Sequence, residues 1–371
     1  MKFSCEKALL QAVLGTASRA VASKSSIPAL EGLLLQATPA GLTVSGYNMQ
    51  TGIRAKVSAE VTEPGEIVLN ARLFGDIVRR MPDDVVTFSA DEKRVVHLSC
   101  GDADFDILGL SAADYPELPV VEDDFSVAIQ QRTLRAMIEE TAFAVSTNES
   151  RPVHTGALFE IADSGLTMVA VDGYRMALRR EAVETCDAES LKFIVPGAAL
   201  SDLEKICMSP EEPVKIAVGS KHVSFSVGDT VLISRRLEGE FLNFRKTVPG
   251  EFPIQLKAQR ADLLRCTDRV SLIIDDRTKN PLRCVFGENM LTITCATPLG
   301  RAEDCCPLEG DGGGMIIGFN NSYLMDAFKA APADTLRINI VNGSAPCIIT
   351  PEDGGDSFLY MILPVRLRSE G

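Results

Sequence analysis

The stretches Leu42-Thr43-Val44, Leu166-Thr167-Met168 and Leu291-Thr292-Ile293 decide the fold, because they read as one strand written three times. Their Leu-Thr pairs stand 124 and 125 residues apart, a period of domain size in a chain of 371 residues. Working outward, the same elements precede each copy. Met1-Lys2-Phe3 leads into a helix-period stretch near residues 7–22 and then Leu33-Leu34-Leu35. Phe125-Ser126-Val127 leads into one near 132–145 and then Leu158-Phe159-Glu160. Phe252-Pro253-Ile254 leads into one near 259–271 and then Leu282-Arg283-Cys284. Repetition at this length predicts three copies of one domain, in keeping with the number of cores such a chain can build.

Each copy repeats its own pattern once more. Ile67-Val68-Leu69-Asn70-Ala71, Phe193-Ile194-Val195-Pro196-Gly197 and Ile316-Ile317-Gly318-Phe319-Asn320 each run from a strand into a helix. Val86-Thr87-Phe88, Val214-Lys215-Ile216 and Leu336-Arg337-Ile338-Asn339-Ile340 follow, alternating as half-buried antiparallel strands do. Val218-Gly219-Ser220-Lys221 and Val341-Asn342-Gly343-Ser344 read as hairpin turns. The expected class is α+β: three domains, each of two β-α-β-β-β halves with two helices on one sheet face. Pro- and acid-rich connectors place the boundaries at 1–123, 124–251 and 252–371. Such an array leaves open sheet edges, which head-to-tail pairing of two chains into a ring would close. Phe105, Ile107, Leu272, Ile273 and Ile274 suit that joint, and they suit core strands and helix ends equally well.

The net charge of −14 argues against nucleic acid only as an average. The six predicted helices carry a net +5 and the rest of the chain −19. Candidate phosphate contacts are Lys7, Arg19, Lys24, Arg72, Arg79, Arg80, Arg132, Arg135, Arg260, Arg265 and Arg269, each also readable as part of a solvated helix face. Without base-reading motifs, such contact is salt-sensitive and sequence-neutral.

Signals for catalysis are weak. His97, His154 and His222 are scattered, with no metal-ligand spacing, so no metal and no cofactor is expected. Gly310-Asp311-Gly312-Gly313-Gly314 lacks the Lys-Ser/Thr of a phosphate loop and reads as a flexible connector. The pairs Asp83-Asp84, Asp123-Asp124 and Asp275-Asp276 fall at turns or linkers. Ten cysteines without a C-x-x-C pair read as buried, reduced thiols. No apolar run is long enough to span a membrane and no signal peptide is evident, which points to a soluble cytoplasmic protein.

The opening Met-Lys-Phe, Ile27-Pro28-Ala29-Leu30-Glu31-Gly32-Leu33-Leu34-Leu35 and Val171-Asp172-Gly173-Tyr174-Arg175-Met176-Ala177 resemble the bacterial β sliding clamps, the β subunits of DNA polymerase III. Glu238-Gly239-Glu240-Phe241-Leu242-Asn243-Phe244 and Tyr360-Met361-Ile362-Leu363-Pro364-Val365-Arg366-Leu367 extend the likeness through the chain. The resemblance implies a non-enzymatic DNA-clamp fold, a homodimeric ring around duplex DNA and a groove for partner peptides. Implied partners are the polymerase III catalytic subunit, the clamp loader and other replication and repair proteins. Carried over by position, the groove comprises His154, Val171, Gly173, Tyr174, Arg175, Met176, Leu242, Arg245, Thr247, Pro346, Met361, Ile362, Leu363, Pro364, Val365, Arg366 and Leu367. His154 departs from the apolar residue frequent in the family, and Arg368-Ser369-Glu370-Gly371 extends past the usual end. A monomeric peptide-binding scaffold and, more distantly, a hydrolase using an Asp pair are the competing readings.

Overall fold

The computed structural model describes residues 1–121, 125–162, 165–183, 185–186, 190–275 and 280–367. The chain divides into two compact units. One comprises Met1–Leu134, Glu184–Ala188 and Ser201–Arg236, the other Arg135–Val183, Glu189–Leu200 and Leu237–Gly371. The units number two where the repeat number is three because sheets run through the repeat boundaries.

The helices are α1 (Lys7–Ala17), α2 (Ala71–Arg80), α3 (Gln131–Glu139), α4 (Gly197–Ile206), α5 (Arg260–Ser271) and α6 (Asn321–Ala330). The first and third are shorter than their periodicity suggested, and each is continued by a 3₁₀ turn, Ser18–Ala20 and Ala142–Ala144. Asn70 and Asn320 cap α2 and α6 from equivalent positions, their Oδ1 atoms accepting from the Leu73 and Ser322 amides. In α1, Leu10, Leu14 and Ala17 fall on one face and are buried. They meet Phe74, Ile77 and Val78 of α2 over strand residues such as Phe3, Phe88, Leu35 and Leu69.

In the first unit a nine-stranded sheet joins the first two repeats, because Thr230–Arg235 pairs antiparallel with Thr51–Val57, Leu232 opposite Ile53. A separate five-stranded sheet ends at Ala103–Leu108, which among the described residues pairs only with Val95–Cys100. In the second unit a ten-stranded sheet is continuous because Phe358–Ile362 pairs with Arg175–Ala182, Tyr360 opposite Ala177. Both joints use the last strand of one repeat and the fourth strand of the one before it. The fourth strand of the third repeat, the Gly300–Asp304 stretch, pairs with Ile293–Thr297 and has no strand on its other side among the described residues.

The glycine run 310–314 corrects the expectation of a connector. It lies within the strand Gly300–Phe319 as a bulge, with Gly310, Gly313 and Gly314 at positive φ. A Cβ on Gly312 would come within 2.5 Å of Phe286, so the close approach itself demands glycine. Cys5, Cys100, Cys207, Cys266, Cys284, Cys295, Cys306 and Cys347 are free and buried, and Cys305 is free and exposed. Asp123, Asp124, Asp276 and the Arg368–Gly371 tail lie outside the described residues. No helix among those described is long and apolar enough to cross a membrane.

Candidate functional site

In the second unit an apolar cluster forms where Arg175–Ala182 meets Phe358–Ile362. It comprises Leu158, Val169, Val171, Met176, Leu178, Ile194, Phe244, Ile348 and Met361, with Phe241 and Leu237 packed against it. Strand alternation selects its members, since Met176 and Leu178 share a face with Met361 opposite. Of the groove residues expected from sequence, Val171, Met176 and Met361 belong to this cluster.

The others take different places. His154 is buried, its ring edge-on to Phe241 with centroids 5.7 Å apart, and burial followed by the charge of Arg151 pulls its pKa down. Leu242 is 40% exposed beside the cluster, and the Thr247 hydroxyl donates to the Phe244 carbonyl at 2.7 Å. Pro346 is half-buried immediately before the strand Cys347–Pro351. Ile362 points away from Met361 by alternation. Past it the chain leaves the cluster: the Leu363 amide donates to the Tyr174 carbonyl, and the Val365 amide to that of Gly318. Val365 and Leu367 flank Gly318, where a Cβ would strike both, and Arg366 is exposed.

Arg175 is a clamp. Its Nε lies 2.9 Å from Asp172 Oδ2 and its Nη1 2.6 Å from Asp326 Oδ2. The guanidinium carbon sits 4.5 Å from the Tyr323 ring centre and 5.4 Å from that of Phe143. Gly173, at φ +95°, turns the loop so that Asp172 Oδ1 accepts from the amides of Tyr174 and Arg175. Tyr174, 60% exposed, then stacks on Tyr323 with centroids 6.3 Å apart. The exposed Tyr174, stacked on the half-buried Tyr323, thus stands with a buried aliphatic and Met-containing floor, a surface suited to an extended segment with apolar anchors.

Three family models tile the chain: the N-terminal, central and C-terminal domains of the DNA polymerase III beta subunit match residues 1–119, 128–243 and 245–366. The chain belongs to that family. A beta sliding clamp of Staphylococcus epidermidis is 31% identical over 376 aligned positions, covering 99% of each chain. Among solved structures, a putative DNA polymerase III beta subunit of Eubacterium rectale superposes with a TM-score of 0.94 at 30% identity, over 99% of this chain and 100% of that one. The Bacillus subtilis DNA polymerase sliding clamp gives 0.94 at 27% identity with the same coverage. The protein is therefore a sliding clamp with the family's three α+β domains, a non-catalytic subunit of replication, and the monomeric-scaffold reading finds no support.

For a clamp, the basic residues on the helices matter next. Lys7, Arg79, Arg132 and Arg135 are ion-paired with Asp83, Asp76, Glu211 and Glu139 at 2.5–2.8 Å. Arg260, Arg265 and Arg269 pair with Asp334, Asp262 and Asp304 at 3.7, 2.5 and 2.5 Å. Arg19, Lys24, Arg72 and Arg80 are exposed and make no ion pair among the described residues. Counting charge along the sequence missed part of this neutralisation, because Asp83, Glu211, Asp334 and Asp304 stand on turns and strands outside the helices, whereas Asp76, Glu139 and Asp262 are helix neighbours one turn away.

Two interface candidates prove exposed, Phe105 at 39% and Leu272 at 80%, while Ile107 packs against the first core. Ile273 and Ile274 are half-buried. Sequence reading passed over Leu108, Tyr323 and Phe244. The repeat register carried the signal for Leu108, the third position after Phe105 on a strand whose equivalents both form joints.

Proposed function

We propose that two copies of this chain join head to tail into a ring around duplex DNA, with the apolar cleft capturing extended peptide segments of replication and repair proteins, including the polymerase III catalytic subunit and the clamp loader. The domains run 1–123, 124–251 and 252–371, and the protein works in the cytoplasm. The observation that carries this reading is the set of unmatched edges. Each in-chain joint pairs a last strand with a fourth strand. The one last strand and the one fourth strand left over are Ala103–Leu108 and Gly300–Asp304. One chain cannot satisfy its own pattern, whereas two copies can.

Transferring the register of Leu232 opposite Ile53 sets Phe105 opposite Ala302 and Asp106 opposite Arg301 in the partner. By the same equivalence, Leu272 takes the place that Phe143 has in the second unit, and Leu73 the place of Tyr323. Both leucines are exposed here, as surfaces awaiting a partner are. DNA then passes through without base-specific contact, held by topology and by basic groups such as Arg72 and Arg80.

Analytical ultracentrifugation gives the first test: twice the chain mass at micromolar concentration is expected, shifting to the chain mass in Leu272→Asp. Clamps loaded on circular DNA should resist high salt and slide off after linearisation. A strictly monomeric protein, or equal salt sensitivity on both templates, rules the ring out.

A further inference from the structure

The cleft face of the second unit continues, one register step beyond Leu158 and Ile194, into a row of charged side chains. Strand pairing sets Glu160 opposite both Lys192 and Thr167, and Thr167 opposite Arg180. Residues two apart on a strand share a face, so this row borders the apolar rows of Leu158, Ile194, Val169 and Leu178. The Glu160 carboxylate, only 8% exposed, accepts from Arg245 Nη1 at 2.9 Å and lies 3.2 Å from Lys192 Nζ. Both cations are more than half exposed. Burial works to raise the Glu160 carboxyl, but the hydrogen bonds from Arg245 and Lys192 outweigh it and hold it below the ordinary range. Arg245 also stacks its guanidinium 4.5 Å over Phe244, a member of the apolar cluster. Arg180 donates through Nε to the Thr167 hydroxyl and pairs with Asp356.

Cations are thereby fixed at the cleft border by a carboxylate that is itself withdrawn from solvent. An anion arriving along the cleft meets the guanidinium and ammonium groups first. Two residues of strand span about 6.7 Å, which an extended partner also covers with two residues.

We propose that the Lys192–Glu160–Arg245 group is a specificity border, selecting partner segments that carry an acidic side chain about two residues beyond their apolar anchors. The inference rests on the cleft being the peptide site. The test is fluorescence anisotropy on the full-length protein with labelled peptides Ser-Asp-Gly-Leu-Ser-Leu-Phe-Gly-Ser and Ser-Gly-Leu-Ser-Leu-Phe-Gly-Asp-Ser, each against its Asn twin. One acidic peptide should bind about fivefold tighter than its twin at low salt, the ratio falling towards one as salt screens the contact. The ratio should collapse in the Lys192→Gln/Arg245→Gln double variant and rise in Glu160→Gln, where the cations lose their internal partner. Equal affinities in both pairs, or a preference that survives the double variant, overturn the proposal. Peptides that all fail to bind, or bind equally well to Met361→Ala, overturn the cleft reading instead, and this inference with it.

Discussion

The molecule builds the same strand joint twice, once in each unit, and the two differ in what covers them. Their entry loops match closely. Asn48 Oδ1 accepts from the amides of Gln50 and Thr51, as Asp172 Oδ1 does from Tyr174 and Arg175, and Met49 and Gly173 take positive φ between them. In the first unit the following linker seals the joint. Tyr115 and Leu118 are buried among Tyr47, Val68 and Ile233, and the Tyr115 hydroxyl donates to the Ser45 carbonyl at 3.3 Å. Leu118 sits so close over Gly52 that a Cβ there would meet it at 3.0 Å. In the second unit the linker buries Phe244 but leaves Leu242 exposed, and Tyr323 takes the exposed Tyr174 ring and the Arg175 guanidinium against its own ring. A shared backbone frame thus yields a seam closed by Tyr115 and Leu118 or one that leaves Leu242 and Tyr174 exposed, according to a few side chains.

The largest break in that comparison should come from Arg175→Ala. The position equivalent to it in the first unit is Thr51, which holds no charge, so the clamp belongs to the cleft alone. Removing the guanidinium strands Asp172, itself 13% exposed, and should cost about 3 kcal/mol. Arg175→Lys should recover less than half, because an ammonium cannot bridge two carboxylates while stacking on Tyr323. Urea unfolding followed by circular dichroism measures both, and an unchanged midpoint would show the clamp to be idle.

Leu118→Ala should come next, at about 2–3 kcal/mol, as expected for truncating a buried leucine in a seam that cannot collapse. Because that seam is plugged, the same substitution should leave peptide affinity for the cleft unchanged in anisotropy titrations. A loss of peptide binding would mean that the sealed joint is not sealed in solution.

A smaller, pH-dependent difference separates the joints. Each places a carboxyl that burial pushes up: Asp202 in the first unit, opposed by Arg19 and Lys205, and Glu140 in the second, raised to about 7. Around Glu140, Arg179 lowers the value while Glu181 and Glu139 raise it, and Arg179 is shared with Glu181 and the Ser357 carbonyl. A carboxyl raised in the folded state stabilises below its unfolded pKa and loses that contribution as pH rises through the folded one. Stability should therefore decline between about pH 4.5 and 7, levelling off above, with a slope no steeper than about 1.4 kcal/mol per unit. Glu140→Gln should flatten the decline, gaining on the parent at pH 8 and matching it near pH 5. Parallel pH profiles for the two proteins would remove Glu140 from the account.

Much of this frame was legible in the chain. The three Leu-Thr strands announced the repeat, and Asn70 and Asn320 marked helix starts at matching positions. Resemblance pointed to Met176 and Met361, and both lie in the buried apolar cluster of the second unit. What sequence could not show was pairing at long range. Arg175 looks like a free rim donor until Asp326, 151 positions away, is brought to it. Lys7, Arg132, Arg260 and Arg269 failed to read as neutralised for the same reason, their partners standing 35 to 79 positions away. Glycines 310–314 look like a linker because composition carries no information about Phe286 pressing on the strand.

The finest distinction between the joints lies in two leucines of their linkers. Leu118 and Leu242 are both linker leucines beside an apolar cluster, yet Leu242 is 40% exposed and Leu118 only 7%. Truncating an exposed side chain leaves no cavity and returns little surface to water, so Leu242→Ala should change stability by less than about 0.5 kcal/mol. In a peptide complex that side chain becomes buried against the incoming anchor, and its loss should weaken binding by roughly three- to tenfold. The two measurements move in opposite senses for the two leucines: stability without affinity at Leu118, affinity without stability at Leu242. Calorimetric titration of Leu242→Ala with a Leu- and Phe-bearing peptide decides the point. Full affinity in that variant would place the anchor elsewhere on the floor, towards Met176 and Met361, and leave Leu242 as ordinary exposed surface.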